Sequence, residues 1–356
     1  KFMEHFKGLA PGLVSCLPGG AQTAQALIGT VHSVCERLLQ RYAFEIGLSP
    51  ELEVASIEDG VGFFNQALDE ALTTAPELPR DAARSLNAIA QRLGIEDWRA
   101  DVKQIADRAR DNGIAAADLV AMGQRCAADL VALFPAQRAG DWDAELVAAV
   151  SAALDAIDLE RDTTKTTRDY RAWLKAAIYR LRRPPAPWDV WIGAATKKAA
   201  QKTEPIAATV RRAASVYDAH PRFHADVRGY VELGYAVAAA TLERFQLQKQ
   251  ARGLIDFSDM ERLLLDALDV PAVSERIGAE LELLLVDEFQ DTNPMQLAIF
   301  MKLAALAKKA IFVGDVKQAI YGFRGCDPEL VHDTLSALTA RGGSSDKLEH
   351  SWRSRP

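Results

Sequence analysis

The clearest pattern of apolar and polar residues lies in the last third of the chain. Leu283–Val286 is a continuous apolar run, and it predicts a strand over Leu281–Val286 that is buried on both faces of a parallel sheet. The run ends abruptly in two acidic residues, Asp287 and Glu288. Ligand sites in open α/β sheets lie at the carboxyl ends of the strands, so paired carboxylates stand where a site is expected.

A second apolar run, Ala310–Val313, predicts another buried strand, which ends in Gly314 and Asp315. Helical spacing of apolar residues predicts three helices around these strands, at Phe257–Leu268, Met295–Lys308 and Pro328–Leu338. Strands that alternate with helices in this way indicate a parallel α/β layer.

The middle of the chain is different, because an alanine-rich helical pattern fills residues 57–246 almost throughout. Before it, Ala26–Val31 predicts a short strand, and Ser33 with Glu36 predicts a helix N-cap with a capping box. The predicted fold is therefore α/β, with a large all-helical insertion that makes it helix-dominated overall. The predicted domain ranges are 1–55, 56–246 and 247–356.

Charge and composition narrow the classes of function. The net charge of −7 argues against coating of nucleic acid by bulk charge, but residues 161–212 carry 13 Lys or Arg against 4 Asp or Glu. That basic stretch is either a polyanion-binding surface or a set of solvated helix faces. The four scattered cysteines fit a reducing cytoplasm, and no apolar run is long enough for a membrane span.

The residues at the strand ends suggest phosphoryl-transfer chemistry. One carboxylate, such as Asp287, holds Mg²⁺ while its neighbour Glu288 orients or deprotonates water. The second strand delivers Gln318 to the same sheet edge, where its amide contacts water and a phosphate oxygen. The aromatic residues and guanidinium that follow are suited to stacking on single-stranded nucleic acid, although ordinary packing also explains the aromatics. These three residues are Tyr321, Phe323 and Arg324.

These motifs together resemble one family. VDEFQDTNP and VGDVKQAIYGFRG resemble motifs II and III of superfamily 1 DNA helicases of the UvrD/Rep/PcrA type. Gly29–Leu39 resembles motif Ib, Ile255–Met260 the element that precedes motif II, and Leu348–Ser354 motif IV. The wording of KQAIYGFRGCDP favours the RecB/AddA branch of helicase–nuclease subunits. Five ordered motifs are far more specific than one.

The resemblance implies a RecA-like domain interrupted by a helical 1B insertion, with ATP and Mg²⁺ as cofactors. It implies that Asp287 binds Mg²⁺, that Glu288 acts as the base, and that Gln318 couples the γ-phosphate to DNA. Trp352 then stacks on adenine and Arg353 contacts the γ-phosphate. The residues implied to contact single-stranded DNA are Thr30, His32, Tyr321, Phe323 and Arg324. For His32, a structural role at the strand–helix junction is the alternative.

One motif of the family is absent, because the chain contains no GxxxxGK[ST] phosphate loop. In the family this loop precedes motif Ib, and a second RecA-like domain follows motif IV. The expectation is therefore part of a 3′→5′ DNA helicase of repair or recombination, inactive as an ATPase by itself. Its expected partners are single-stranded or duplex DNA and a second helicase–nuclease subunit. The alternative is a non-catalytic DNA-binding or scaffold module.

Overall fold

The computed structural model describes residues 26–48, 53–54, 57–160, 162–315, 328–340 and 342–346. The α-helices are α1 (Val31–Arg41), α2 (Ile57–Thr74), α3 (Ala82–Leu93), α4 (Trp98–Asp111), α5 (Ala116–Ala132), α6 (Trp142–Ala156), α7 (Lys165–Leu181), α8 (Trp188–Thr196), α9 (Glu204–Ala214), α10 (Pro221–Arg252), α11 (Phe257–Ala267), α12 (Pro271–Glu280), α13 (Pro294–Leu306) and α14 (Pro328–Ala340). The strands are β1 (Glu53–Val54), β2 (Leu254–Ile255), β3 (Leu283–Val286) and β4 (Lys309–Phe312). Helices dominate and the sheets are small and parallel, as expected for this α/β class.

The chain divides into two compact units. The first comprises residues up to Gly60, residues Arg110–Gly113 and residues from Lys249 onward; the second comprises Val61–Ala109 and Ile114–Gln248. No described helix is long and apolar enough to cross a membrane.

The first unit contains the strands. β3 pairs in parallel with β4, with Leu283 opposite Lys309 and Val286 opposite Phe312. α1, α11 and α13 pack on one face of this pair and share a core that includes Leu39, Leu264 and Ile299. The strand positions are those that the two apolar runs predict.

Burial of β3 on both faces was predicted, and this prediction is wrong for the part of the chain described. Val286 is 7% exposed, whereas Leu283 and Leu285 are 50% and 48% exposed. Side chains alternate between the two faces of a strand, and the helices of the described core cover the face of Leu284 and Val286. An apolar run therefore identified the strand but not the layer on each side of it.

The start of α1 also differs from the prediction. Residues 26–30 form no strand, and the N-cap is Thr30 rather than Ser33. The Thr30 hydroxyl oxygen accepts the Ser33 backbone N–H at 3.3 Å, and the Ser33 hydroxyl donates to the Thr30 carbonyl at 2.9 Å. A Cβ at Gly29 would lie 2.1 Å from Ser33 Oγ, so the close approach of this turn requires glycine.

Two helices of the first unit begin with capping boxes. Asp256 and Asp259 cap α11, and Asn293 and Gln296 cap α13, where Pro294 occupies the first turn. Because each box satisfies backbone N–H groups that lack a helical partner, both helix starts are fixed in position.

The second unit is helical throughout its described residues and has two cores. One lies around α2–α5 and includes Leu68, Leu86 and Val237. The other lies around α6–α9 and includes Leu174 and Trp191. The 32-residue helix α10 contributes its first half to the second core and its second half to the first, so it joins the two cores.

Candidate functional site

The acidic pair lies where the sequence predicts it, directly after β3. Asp287 Oδ1 accepts the backbone N–H of Glu288 at 3.0 Å. Glu288 has φ 53° and ψ 41°, a left-handed conformation that is uncommon for a residue with a Cβ. Such conformations concentrate at functional sites, where the surrounding structure holds them. The turn thus holds one half-buried and one exposed carboxylate at the sheet edge.

Gln290 was not assigned a role from the sequence, although it lies within the same acidic motif. Its side chain is buried, and its Nε2 donates to Glu288 Oε2 at 2.7 Å. Its Oε1 accepts the backbone N–H of Asp315 at 2.9 Å. One amide therefore connects the acidic turn after β3 to the end of the segment after β4.

The backbone brings the same two segments together. Val313 N donates to Val286 O at 2.8 Å, and Phe289 N donates to Val313 O at 2.9 Å. A Cβ on Gly314 would lie 2.7 Å from Gln290 Oε1, closer than real Cβ contacts allow. The structure consequently brings Asp287, Glu288 and Asp315 to one edge of the sheet, as the strand order predicts.

The donor set at this edge fits a magnesium ion. Mg²⁺ prefers oxygen ligands and is commonly held by one or two carboxylates together with substrate phosphates and water. Asp287 engages one carboxylate oxygen with the backbone and is only partly buried. Its second oxygen makes no hydrogen bond within the described residues. Asp287 would therefore hold the ion, with Glu288 beside it.

The first two residues predicted to contact DNA lie at the start of α1. Thr30 is the N-cap, and the first turn of the helix contains no acidic residue. His32 Nε2 lies 3.1 Å from Glu261 Oε1, and its ring stacks on Phe257 with centroids 4.4 Å apart. The structural role proposed as an alternative for His32 is thus partly correct, since the ring is anchored even though Thr30 forms the cap.

Glu261 was also missed by the sequence analysis. It is 3% exposed, and its buried neighbours Met260 and Leu264 show that it faces the core side of α11. A glutamate at such a position of an amphipathic helix is the signal that identifies it, since buried charges need partners.

Six of the predicted site residues lie outside the described residues. They are Gln318, Tyr321, Phe323, Arg324, Trp352 and Arg353.

The basic stretch of residues 161–212 lies on α7–α9. Arg180 forms a two-bond pair with Asp189 at 2.7 and 2.8 Å, so its charge is neutralised locally. Arg183 instead stacks over the ring of Tyr179 at 3.9 Å, and Tyr179 is 58% exposed. Lys197 lies 5.5 Å from the ring centroid of Trp173. Exposed cations beside accessible aromatic rings give this face the chemistry of a nucleic-acid-binding surface.

Comparison with known proteins agrees with the motifs. The family model of the UvrD/REP helicase N-terminal domain matches residues 13–337. The chain is 39% identical over 120 residues to the AddA subunit of the ATP-dependent helicase/nuclease of Latilactobacillus sakei, which is 32% of this chain and 14% of the relative. It is 38% identical over 130 residues to the AddA protein of Staphylococcus saprophyticus, covering 33% of this chain and 11% of the relative.

The chain therefore belongs to the UvrD/REP helicase N-terminal domain family. The similarity to AddA proteins confirms the RecB/AddA branch inferred from the motifs. The matched segments span about a tenth of the length of these relatives, 14% and 11%.

Proposed function

We propose that this chain is part of an ATP-dependent DNA helicase that moves 3′→5′ along a single strand in DNA repair or recombination. The observation that carries the proposal is the acidic turn, in which Gln290 joins Glu288 to the end of the second strand. Helicases require such a link, because the hydrolysis site must respond to events at a second, DNA-binding motif.

In this proposal each residue acts as the family resemblance implies. Asp287 holds the magnesium that bridges the phosphates, and Glu288 orients or deprotonates the attacking water. Gln318 and Arg353 act on the γ-phosphate, and Trp352 stacks on adenine. Single-stranded DNA contacts Thr30, His32, Tyr321, Phe323 and Arg324.

The proposed domains are two parts of a RecA-like domain, 1–55 and 247–356, with a helical 1B insertion at 56–246. The basic face of α7–α9 then contacts duplex DNA. A second helicase–nuclease subunit is the proposed protein partner, and the cytoplasm the proposed location. Since the chain contains no GxxxxGK[ST] sequence, we expect it to hydrolyse ATP poorly by itself.

The decisive experiment compares two preparations, the chain by itself and the natural full-length protein. Single-stranded DNA should bind to the chain in an equilibrium titration, while its steady-state ATPase stays at background with or without DNA. The full-length protein should show DNA-stimulated ATPase that Asp287→Asn reduces by at least about a hundredfold, because the metal loses a ligand. The exposed Asp266, on α11, supplies the matched control Asp266→Asn, which should leave the rate unchanged.

A non-catalytic DNA-binding or scaffold module is the second candidate, and the missing phosphate loop favours it. The same experiment separates the two. DNA binding without ATPase in the full-length protein supports the scaffold, and robust turnover from the isolated chain contradicts the expected inactivity.

A further inference from the structure

Glu261 is the meeting point of three elements of the first unit. Its side chain is 4% exposed, and its Oε1 lies 3.1 Å from His32 Nε2 at the start of α1. The same oxygen accepts Gln296 Nε2 at 2.6 Å, and Oε2 accepts Asn293 Nδ2 at 3.4 Å. Asn293 and Gln296 are the two capping-box residues of α13, which follows the acidic turn. One buried carboxylate thus connects α1, α11 and the start of α13.

This arrangement fixes the ring of His32. A buried carboxylate is costly unless polar groups surround it, so the contact with Nε2 is strongly favoured over solvent. Phe257 stacks on the ring with an interplanar angle of 29° and restricts its rotation. The side chain nevertheless remains 37% exposed. Its other ring nitrogen, Nδ1, has no hydrogen-bond partner among the described residues.

We infer that Glu261 is a positioning residue for DNA binding, and that it acts through His32. By holding Nε2, it presents Nδ1 beside the Thr30 cap, where the first turn of α1 carries no acidic side chain to repel a phosphate. The inference rests on the proposed function, because the ligand is the single strand assigned there to Thr30 and His32. The link to Asn293 also ties this DNA contact to the helix that follows Asp287 and Glu288.

A double-mutant cycle tests whether Glu261 acts through His32. The four proteins are the wild type, Glu261→Met, His32→Ala and the double variant, each titrated with a fluorescent oligothymidylate. Methionine keeps the length of the side chain but offers no acceptor for Nε2. Each single variant should bind about tenfold more weakly, the size expected for one lost charge-assisted contact. The double variant should bind no more weakly than His32→Ala alone.

The conservative variant Glu261→Gln separates positioning from charge. Its amide oxygen still accepts both His32 and Gln296, and only the long Asn293 contact is lost. We therefore expect binding within about twofold of the wild type. The control Asp266→Asn removes one negative charge from an exposed position of the same helix and should have no effect.

The outcomes are distinct. Thermal denaturation of every variant shows whether the fold persists, and a purely structural role predicts that Glu261→Met weakens binding further in the His32→Ala background. That additive result, or equal losses for Glu261→Gln and Glu261→Met, overturns the inference while leaving the proposed function intact. Absence of oligothymidylate binding by the wild type overturns both.

Discussion

Gln290 holds the carboxylate of Glu288 by a hydrogen bond of 2.7 Å from its buried amide. The other end of the amide accepts the backbone N–H of Asp315 at 2.9 Å. Glu288 lies in a left-handed conformation, so its position depends on such outside contacts rather than on backbone preference. Motion of the segment that ends at Asp315 is therefore transmitted to the candidate catalytic base by one side chain.

Gln290→Ala should uncouple the two segments. We expect kcat for DNA-stimulated ATP hydrolysis by the full-length protein to fall about tenfold, with little change in KM, because the base loses orientation but the nucleotide contacts remain. The free energy of unfolding should fall by about 2 kcal/mol, since a buried amide and its two hydrogen bonds are lost. Steady-state kinetics and urea denaturation measure the two effects.

Gln250→Ala is the matched control for this experiment, because Gln250 is exposed on α10. It should change neither kcat nor stability. A Gln290→Ala enzyme with normal kcat would show that the bridge contributes only to folding.

Gly314→Ala should disturb the same bridge from the other side. Its Cβ would lie 2.7 Å from Gln290 Oε1, so the amide must move. We expect a loss of about 1–3 kcal/mol in the free energy of unfolding, the usual cost of overpacking, together with the kinetic defect of Gln290→Ala. Gly62→Ala is the control: a Cβ there meets nothing within 4 Å in helix α2, so it should stabilise the protein by about 1 kcal/mol. Equal effects of the two substitutions would contradict the steric argument.

The sequence predicted the elements of the site well, because local patterns determine them. The apolar runs identified β3 and β4, and the abrupt change to polar residues identified the sheet edge that carries Asp287 and Glu288. Parallel pairing then brings Asp315 to the same edge without further information.

The remaining features depend on contacts between segments that are distant in sequence. Glu261 meets residues 32 and 35 positions further along the chain, and no local pattern reveals such a contact. The N-cap of α1 was misassigned because Thr30 and Ser33 are both good caps, and the turn that Gly29 permits decides between them. Exposure of Leu283 and Leu285 likewise depends on which layers cover the sheet, not on the strand itself.

Asp162 should make the stability of the second unit depend on pH. Its buried carboxylate accepts hydrogen bonds from the hydroxyls of Thr167 at 2.6 Å, Thr164 at 2.8 Å and Thr203 at 2.8 Å. These bonds, that of Thr167 first, lower the pKa of Asp162 below the ordinary carboxyl value. A lowered pKa means that the unfolded chain takes up the proton first. The stabilisation is therefore complete above the ordinary pKa of about 3.9 and is lost as the pH falls through the folded pKa.

Asp162→Asn should lower the melting temperature at pH 7, and the difference from the wild type should shrink below about pH 4. The control Asp169→Asn alters an exposed carboxylate on α7 and should give no such pH-dependent difference. Thermal denaturation followed by circular dichroism across this pH range measures both. A wild-type advantage that stays constant down to pH 2 would contradict a lowered pKa.

The exposed cations that flank α8 should contribute to DNA binding through phosphate contacts. Arg182, Arg183, Lys197 and Lys198 are exposed, and the described structure shows no ion pair for any of them. Reversing Arg182 and Arg183 to Glu, or Lys197 and Lys198 to Glu, should weaken duplex binding about tenfold or more. The slope of log K against log salt concentration should become shallower by up to about 2, because fewer counterions are released. Arg80→Glu with Arg84→Glu makes the same charge change at exposed positions near the start of α3 and separates local contacts from net charge. If all three double variants change the salt slope equally, the stretch is a set of solvated helix faces and not a DNA-binding surface.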